Sequence, residues 1–315
     1  MSDPRHVNLG PGAEFDAIRR LLRDWGPLSA GAGDDAAVLD VPPGQRLVAS
    51  IDATVEGVHF RRGWLTAVEI GYRAVTAALS DLAAMGALPI GVLTAFVLPD
   101  EWRDRLSEVG EGIGMAVARA GTTVVGGNLT AGTEFSITST VLGHAAGLLR
   151  RDGVRAGDHL YVTGRLGGPG AALAAWLAGR EPRLEDRERF AHPSARLAEG
   201  RWLAGAGAAS AVDISDGLVA DARHLASAGG VGIELDLGAI PLVDGVASAD
   251  ALVSGEEYEL LVSAPHRLDT DPFAREFGLP LTHVGRAVAD HPREVVVLDA
   301  GRRVAGGRGY DHFQG

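Results

Sequence analysis

At 315 residues the chain is longer than one hydrophobic core usually serves, so two domains are the natural expectation. Its composition (46% hydrophobic, 22% charged) is that of an ordinary globular protein, and a formal charge of −12 argues against wrapping nucleic acid or coating an anionic membrane. There is no cysteine, and all 29 Lys+Arg positions are arginine, which excludes disulfides, cysteine–zinc sites, lysine Schiff bases and the lysine of a P-loop.

No apolar run is long enough to span a bilayer, and the N-terminus has no signal-peptide core, so a cytoplasmic enzyme is expected. Residues 14–25 place Phe15, Ile18, Leu22 and Trp25 on one helical face, and Gly26-Pro27 ends the helix. GAGDD (31–35) sets Asp34 and Asp35 in a glycine-rich turn, and short strands are expected at 36–41 and 46–51, with Asp52 ending the second. A helix follows over 66–85, with Thr66 as N-cap and Gly86 and Pro89 closing it. Asp81 near its C-terminus opposes the helix dipole and needs a partner. Residues 90–98 read as a buried strand, 101–119 as a helix, TTVVGGN (122–128) as a strand running into a Gly-Gly turn, and 135–145 as a further strand.

A second unit begins near 147. Its strand ends at Val162-Thr163 and runs through GRLGGPG into a helix. Such a loop can cradle phosphate on backbone amides, but any tight strand-to-helix connection also uses glycine. A loop and helix are expected over 188–207. AVDISDGLVAD then gives a strand end carrying Asp213 and Asp216, followed by a helix closed at Gly229-Gly230. GIELDL is a strand, SGEEYEL a Gly-Glu-Glu turn leading into another, and the last stretch reads as helix, strand, linker and strand. The fold class expected is α/β (α+β) in two domains. Residues 1–146 form a β-rich domain with two or three covering helices, and 147–315 an α/β domain.

GDDAAVLD, SIDA and DISDGLVAD share one pattern, an apolar run ending in acids and glycine, and TTVVGGN repeats it with an amide. Carboxylates on apolar ground are costly unless a cation compensates them, and hard oxygen ligands suit magnesium. Solvated acidic turns are the alternative for each taken singly.

Together GAGDD, SIDATVEGVHF, SDLAAMGA, VVGG, DISDGLVAD, SGEEYEL and GYDHF resemble the thiamine-monophosphate kinase family, within the ATP-binding superfamily of aminoimidazole ribonucleotide synthetase. The resemblance runs from about Glu14 to Phe313. It implies a homodimer whose first domains pair through their sheets, with ATP and thiamine monophosphate meeting between the domains. It implies catalytic carboxylates at Asp35, Asp52, Asp81 and Asp213 that hold several Mg2+ ions, with Ser50 and Asp216 nearby and Asp34 a weaker candidate. Gly127, Arg151 and Ser215 would touch the nucleotide phosphates, and His59, Glu256 and Phe313 the thiamine side.

Two positions depart from the family pattern. Asn128 stands where the family has an aspartate that would ligate metal beside the nucleotide. Ile51 stands where threonine is common, though its carbonyl could still reach a metal. The implied activity is transfer of the ATP γ-phosphate to thiamine monophosphate, giving thiamine diphosphate. The alternatives are another ATP-dependent enzyme of the superfamily, or a nucleotide- and metal-binding protein slowed by Asn128.

Overall fold

The computed structural model describes residues 12–30, 32 and 36–310. The chain divides into two units. The first runs to Leu82 and resumes over Leu88–Ala146, and the second takes Ala83–Ala87 together with everything from Gly147 onward.

In the first unit, α1 (Ala13–Trp25) buries Leu21, Leu22 and Trp25. β1 (Arg46–Val55) is followed by α2 (Ala67–Ala84), β2 (Leu88–Leu98), α3 (Leu106–Ala120), β3 (Val124–Ala131) and β4 (Ser136–Ala145). The start of α2 is a capping box: Glu69 N donates to Thr66 Oγ1 at 3.2 Å, and Thr66 N to the Glu69 carboxylate at 2.7 Å. The strands form one sheet in the order β1-β4-β2-β3, antiparallel except for β2 and β3. α2 and α3 cross at two glycines. A Cβ on Gly71 would lie 2.0 Å from the Val109 carbonyl oxygen, and one on Gly112 would lie 1.8 Å from that of Val68. Only hydrogen fits at either position, so the helix backbones touch. One sheet face buries Val92, Phe96, Ile137 and Val141, while the other leaves Ile51 65% exposed and Leu47 exposed beside it.

Three expectations for this unit are corrected. Residues 36–41 form no strand, and Val38 is 92% exposed, because no strand flanks them to receive their backbone groups. The expected helix at 101–119 opens as a 3-10 turn, Asp100–Arg105, before α3. Asp52 and Asn128 do not end their strands. Pairing with β4 carries β1 on to Val55, and pairing with β2 carries β3 on to Ala131. Gly127 is required within β3 because a Cβ there would stand 2.1 Å from the Thr94 carbonyl oxygen of β2.

The second unit contains β5 (His159–Thr163), α4 (Gly168–Leu177), α5 (Leu184–Ala191), α6 (Leu197–Gly205), β6 (Ser210–Asp213), α7 (Leu218–Gly229), β7 (Gly232–Asp236), α8 (Ser248–Ala251), β8 (Leu260–Ala264), α9 (Thr270–Phe277), β9 (Leu281–Val288), β10 (Val295–Asp299) and β11 (Arg302–Val304). Where one loop and one helix were expected over 188–207, residues 188–191 belong to α5 and a second helix follows. The chain turns between them at His192-Pro193, where proline cannot continue a helix. The seven strands run β11-β10-β7-β9-β5-β8-β6. Leu160, Val162 and Leu261 pack with α7 residues Leu218, Ala222 and Leu225. Tyr161, Leu260 and Val262 pack with Leu203 of α6 and Phe273 of α9. Both faces of the sheet are thus covered by helices.

Candidate active site

The first unit carries its acids on the helix-covered face. Residues directly paired across a sheet share a face, and Asp52, Ser139, Thr94 and Gly127 form one such row. Ser50, two residues before Asp52, shares the face. Its hydroxyl donates to the Asp81 carboxylate of α2 at 2.5 Å, which supplies the partner that a carboxylate at a helix C-terminus needs. Asp52 accepts from the amide of Ala53 at 2.7 Å. The hydroxyl of Ser139, the register partner of Asp52, is buried without a hydrogen-bond partner. Ser50, Asp52, Asp81 and Ser139 offer oxygen donors, the ligand type that suits a hard divalent cation.

Ile51 and Asn128 face the other way. Asn128 pairs with Ala95, on the row of Thr138 and Ala53, so its side chain belongs to the open face of the sheet. β3 and β1 are the two edge strands, three strand spacings or roughly 14 Å apart. A single chain therefore does not bring Asn128 to Asp52. His59 lies in a tight turn after β1. Its Nδ1 accepts from the amide of Val55 at 3.1 Å, which leaves the ring proton on Nε2.

In the second unit, the segment after β6 is built around a residue the sequence reading did not single out. One carboxylate oxygen of Asp221, on α7, accepts from the amides of Ser215 at 3.0 Å, Asp216 at 3.0 Å and Gly217 at 3.1 Å. Asp213 is buried at the end of β6. Burial first, then the Asp213 and Asp216 carboxylates, push Asp221 up to about 8. Oxygens of Asp216 and Asp221 and a ring nitrogen of His224 lie within 4.8 Å of one another. Burial, and after it the guanidinium of Arg151, hold His224 below the usual imidazole range. Arg151, Ser215, Asp213 and Asp216 thus occupy one neighbourhood of this unit. The sequence signal for Asp221 was available in DISDGLVAD, since an acid four residues after a glycine N-cap can reach back to the preceding turn.

The Ser254–Glu259 loop is tied to the same turn. The amide of Glu256 donates to the Ser215 carbonyl at 2.7 Å, and that of Tyr258 to the Ile214 carbonyl at 2.9 Å. Glu257 is buried and accepts from the Gly167 amide and the Ser254 hydroxyl, each at 2.5 Å. The amide of Gly170 donates to Ser254 Oγ at 3.0 Å. Two amides of the GRLGGPG loop therefore serve the protein's own groups, so the loop reads as a tight connection and not as a phosphate cradle. Glu259 accepts both guanidinium branches of Arg196 and the Thr163 hydroxyl. Tyr310, near the C-terminal end of the described chain, donates its amide to the Asp216 carbonyl at 3.0 Å. Asp34, Asp35 and Phe313 lie outside the described residues.

Comparison with known proteins shows the family of the chain. Residues 33–145 match the N-terminal domain, and residues 155–297 the C-terminal domain, of AIR synthase related proteins. The thiamine-monophosphate kinase of Salmonella typhimurium is 33% identical, over 95% of each chain. The crystal structure of thiamine-monophosphate kinase from Stenotrophomonas maltophilia superposes with a TM-score of 0.79 at 31% identity, covering 95% of this chain and 99% of that one. AaThiL complexed with AMPPCP and TMP gives a TM-score of 0.75 at 30% identity, over 95% and 96% of the two chains.

Proposed function

Since the chain belongs to the thiamine-monophosphate kinase family, we propose that it transfers the γ-phosphate of ATP to thiamine monophosphate, forming thiamine diphosphate and ADP. The observation that carries this reading is full-length similarity to kinases of that name, one of them bound to an ATP analogue and TMP. An oxygen of the acceptor phosphate forms the new bond to the γ-phosphorus as the bond to the ADP oxygen breaks. That acceptor oxygen is already anionic at neutral pH, so positioning and charge neutralisation do the work, and no strong general base is required.

Asp52 and Asp81, with Ser50 and the Ile51 carbonyl, and Asp213 and Asp216 are proposed to hold magnesium, together with Asp35 and Asn128. Magnesium would neutralise the phosphate charges. The gathering of Asp216, Asp221 and His224 ligand atoms within 4.8 Å, beside the buried Asp213, supports a cation there. Gly127, Arg151 and Ser215 are proposed for the nucleotide phosphates. His59, through its Nε2 proton, is proposed for the thiamine side along with Glu256 and Phe313.

A cytoplasmic homodimer is part of the reading. The exposed Ile51 and Leu47 on the open face of a sheet that ends on β1 and β3 among the described residues support pairing of first units. Such pairing would also bring Asn128 of one copy toward the Ile51–Asp52 stretch of the other.

The test is incubation with ATP, magnesium and thiamine monophosphate. One thiamine diphosphate per ADP is the expected result. ADP formed with free phosphate and no thiamine diphosphate would overturn the assignment. A mass that stays monomeric at all concentrations would overturn the dimer.

A further inference from the structure

Two neighbouring residues in the Ser254–Glu259 loop hold an unusual backbone. Glu256 has φ 62° and Tyr258 φ 53°, in the left-handed region that favours glycine. For a residue as bulky as tyrosine this conformation costs on the order of 1 kcal/mol or more and persists only where surrounding contacts enforce it. Here they do. Both amides are fixed to carbonyls of the 214–215 segment, Glu257 is anchored by Gly167 and Ser254, and Glu259 by Arg196. The consequence of the strain is specific. It turns the buried Tyr258 ring so that its hydroxyl donates to Glu256 Oε2 at 2.6 Å, across a spacing of two residues.

We propose that Tyr258 is a positioning residue for the thiamine site, fixing the orientation of the Glu256 carboxylate through its Oε2. This rests on the proposed function, and on Glu256 facing thiamine monophosphate. A carboxylate suits both the cationic thiazolium and the amino group of the pyrimidine. A half-buried glutamate has three rotatable bonds to immobilise, and a phenol bonded to one oxygen removes that freedom before substrate arrives. The residues proposed for the nucleotide, Gly127, Arg151 and Ser215, are others, so the effect should be confined to one substrate.

The experiment is Tyr258→Phe, which keeps the ring and its packing and removes only the hydroxyl. KM for thiamine monophosphate should rise about tenfold, the scale of one hydrogen bond to a charged group, while KM for ATP stays within about twofold. Glu256→Gln, alone and combined with Tyr258→Phe, completes a double-mutant cycle. The second change should add little to the first, because both act through the same carboxylate. An unchanged KM for thiamine monophosphate, an equal rise in both KM values, or additive effects in the cycle would overturn the inference. If the unmodified protein makes no thiamine diphosphate, the functional reading fails and this inference with it. If it does, failure of the tyrosine variant alone leaves that reading intact.

Discussion

Arginine 196 is the most exacting single test of how the second unit is held together. Glu259 is 2% exposed at its side chain, and Arg196 approaches it with Nε at 2.8 Å and Nη2 at 2.5 Å. Thr163 Oγ1 adds a third donor at 2.6 Å and itself accepts from the amide of Leu260 at 2.8 Å, so the carboxylate ties the end of β5 to the start of β8 and to α6. There is no room for rearrangement on the Gly164 side, where even a Cβ would lie 2.2 Å from the carboxylate. Arg196→Met removes the two guanidinium donors, leaves the Thr163 hydroxyl, and strands a buried charge, at a cost of about 3–5 kcal/mol. In a unit of this size that lowers the melting temperature by roughly 6–20 °C. Adding Glu259→Gln removes the stranded charge and should recover much of the loss. Urea and thermal unfolding of the single and double variants measure both quantities. A loss under about 1 kcal/mol for Arg196→Met would place the pair with exposed salt bridges and refute the reasoning.

Gly112→Ala should cost about 2–3 kcal/mol or more in thermal unfolding, because its Cβ would stand 1.8 Å from the Val68 carbonyl oxygen. Gly147→Ala, with open space around it, should change stability by less than about 0.5 kcal/mol. Burial pushes Glu257 up to about 8 despite the Ser254 and Gly167 hydrogen bonds. The folded pKa lies above the unfolded one, so the native state holds the extra proton and stability falls as pH rises from about 4.5 to 8, by at most about 1.4 kcal/mol per pH unit for this group. Glu257→Gln should flatten that slope in unfolding measured at several pH values, and an unchanged slope would count against the assignment. Asn128→Asp should raise turnover at limiting magnesium, since a hard cation gains a full charge. If it turns over no faster at any magnesium concentration, Asn128 is not a metal ligand.

What the sequence made legible was whatever repeats locally. α1 and α2 followed from helical periodicity and caps, and β4 from β-branched alternation. The acid words single out Asp52, Asp213 and Asp216, and the position of Asp81 near a helix C-terminus calls for a partner. Its partner, Ser50, lies 31 residues away, and no spacing rule could name it. Residues 36–41 had the apolar run of a strand but pair with none among the described residues, so composition alone misled there. Asp52 and Asn128 looked terminal because acids, amides and glycines usually interrupt strands. Edge positions tolerate them, and edge position is a property of the assembled sheet. Tyr258, Glu257 and Glu259 read as an ordinary turn opening a strand. Their roles come from left-handed backbone and from partners as far off as Thr163 and Gly167.

The order β1-β4-β2-β3 also governs when the first unit can close during synthesis. Among the described residues β1 pairs with β4 alone, and the register joins Val55 to Ser136 and Arg46 to Ala145, separations of 81 (136 − 55) and 99 (145 − 46) residues. At roughly 5–20 residues per second, β1 emerges from the ribosome roughly 4–20 seconds before its partner exists. Hairpins form in microseconds, so elongation and not pairing sets this delay. During it, Leu47, Val48 and Ile51 lack the strand that pairs with them in the folded unit.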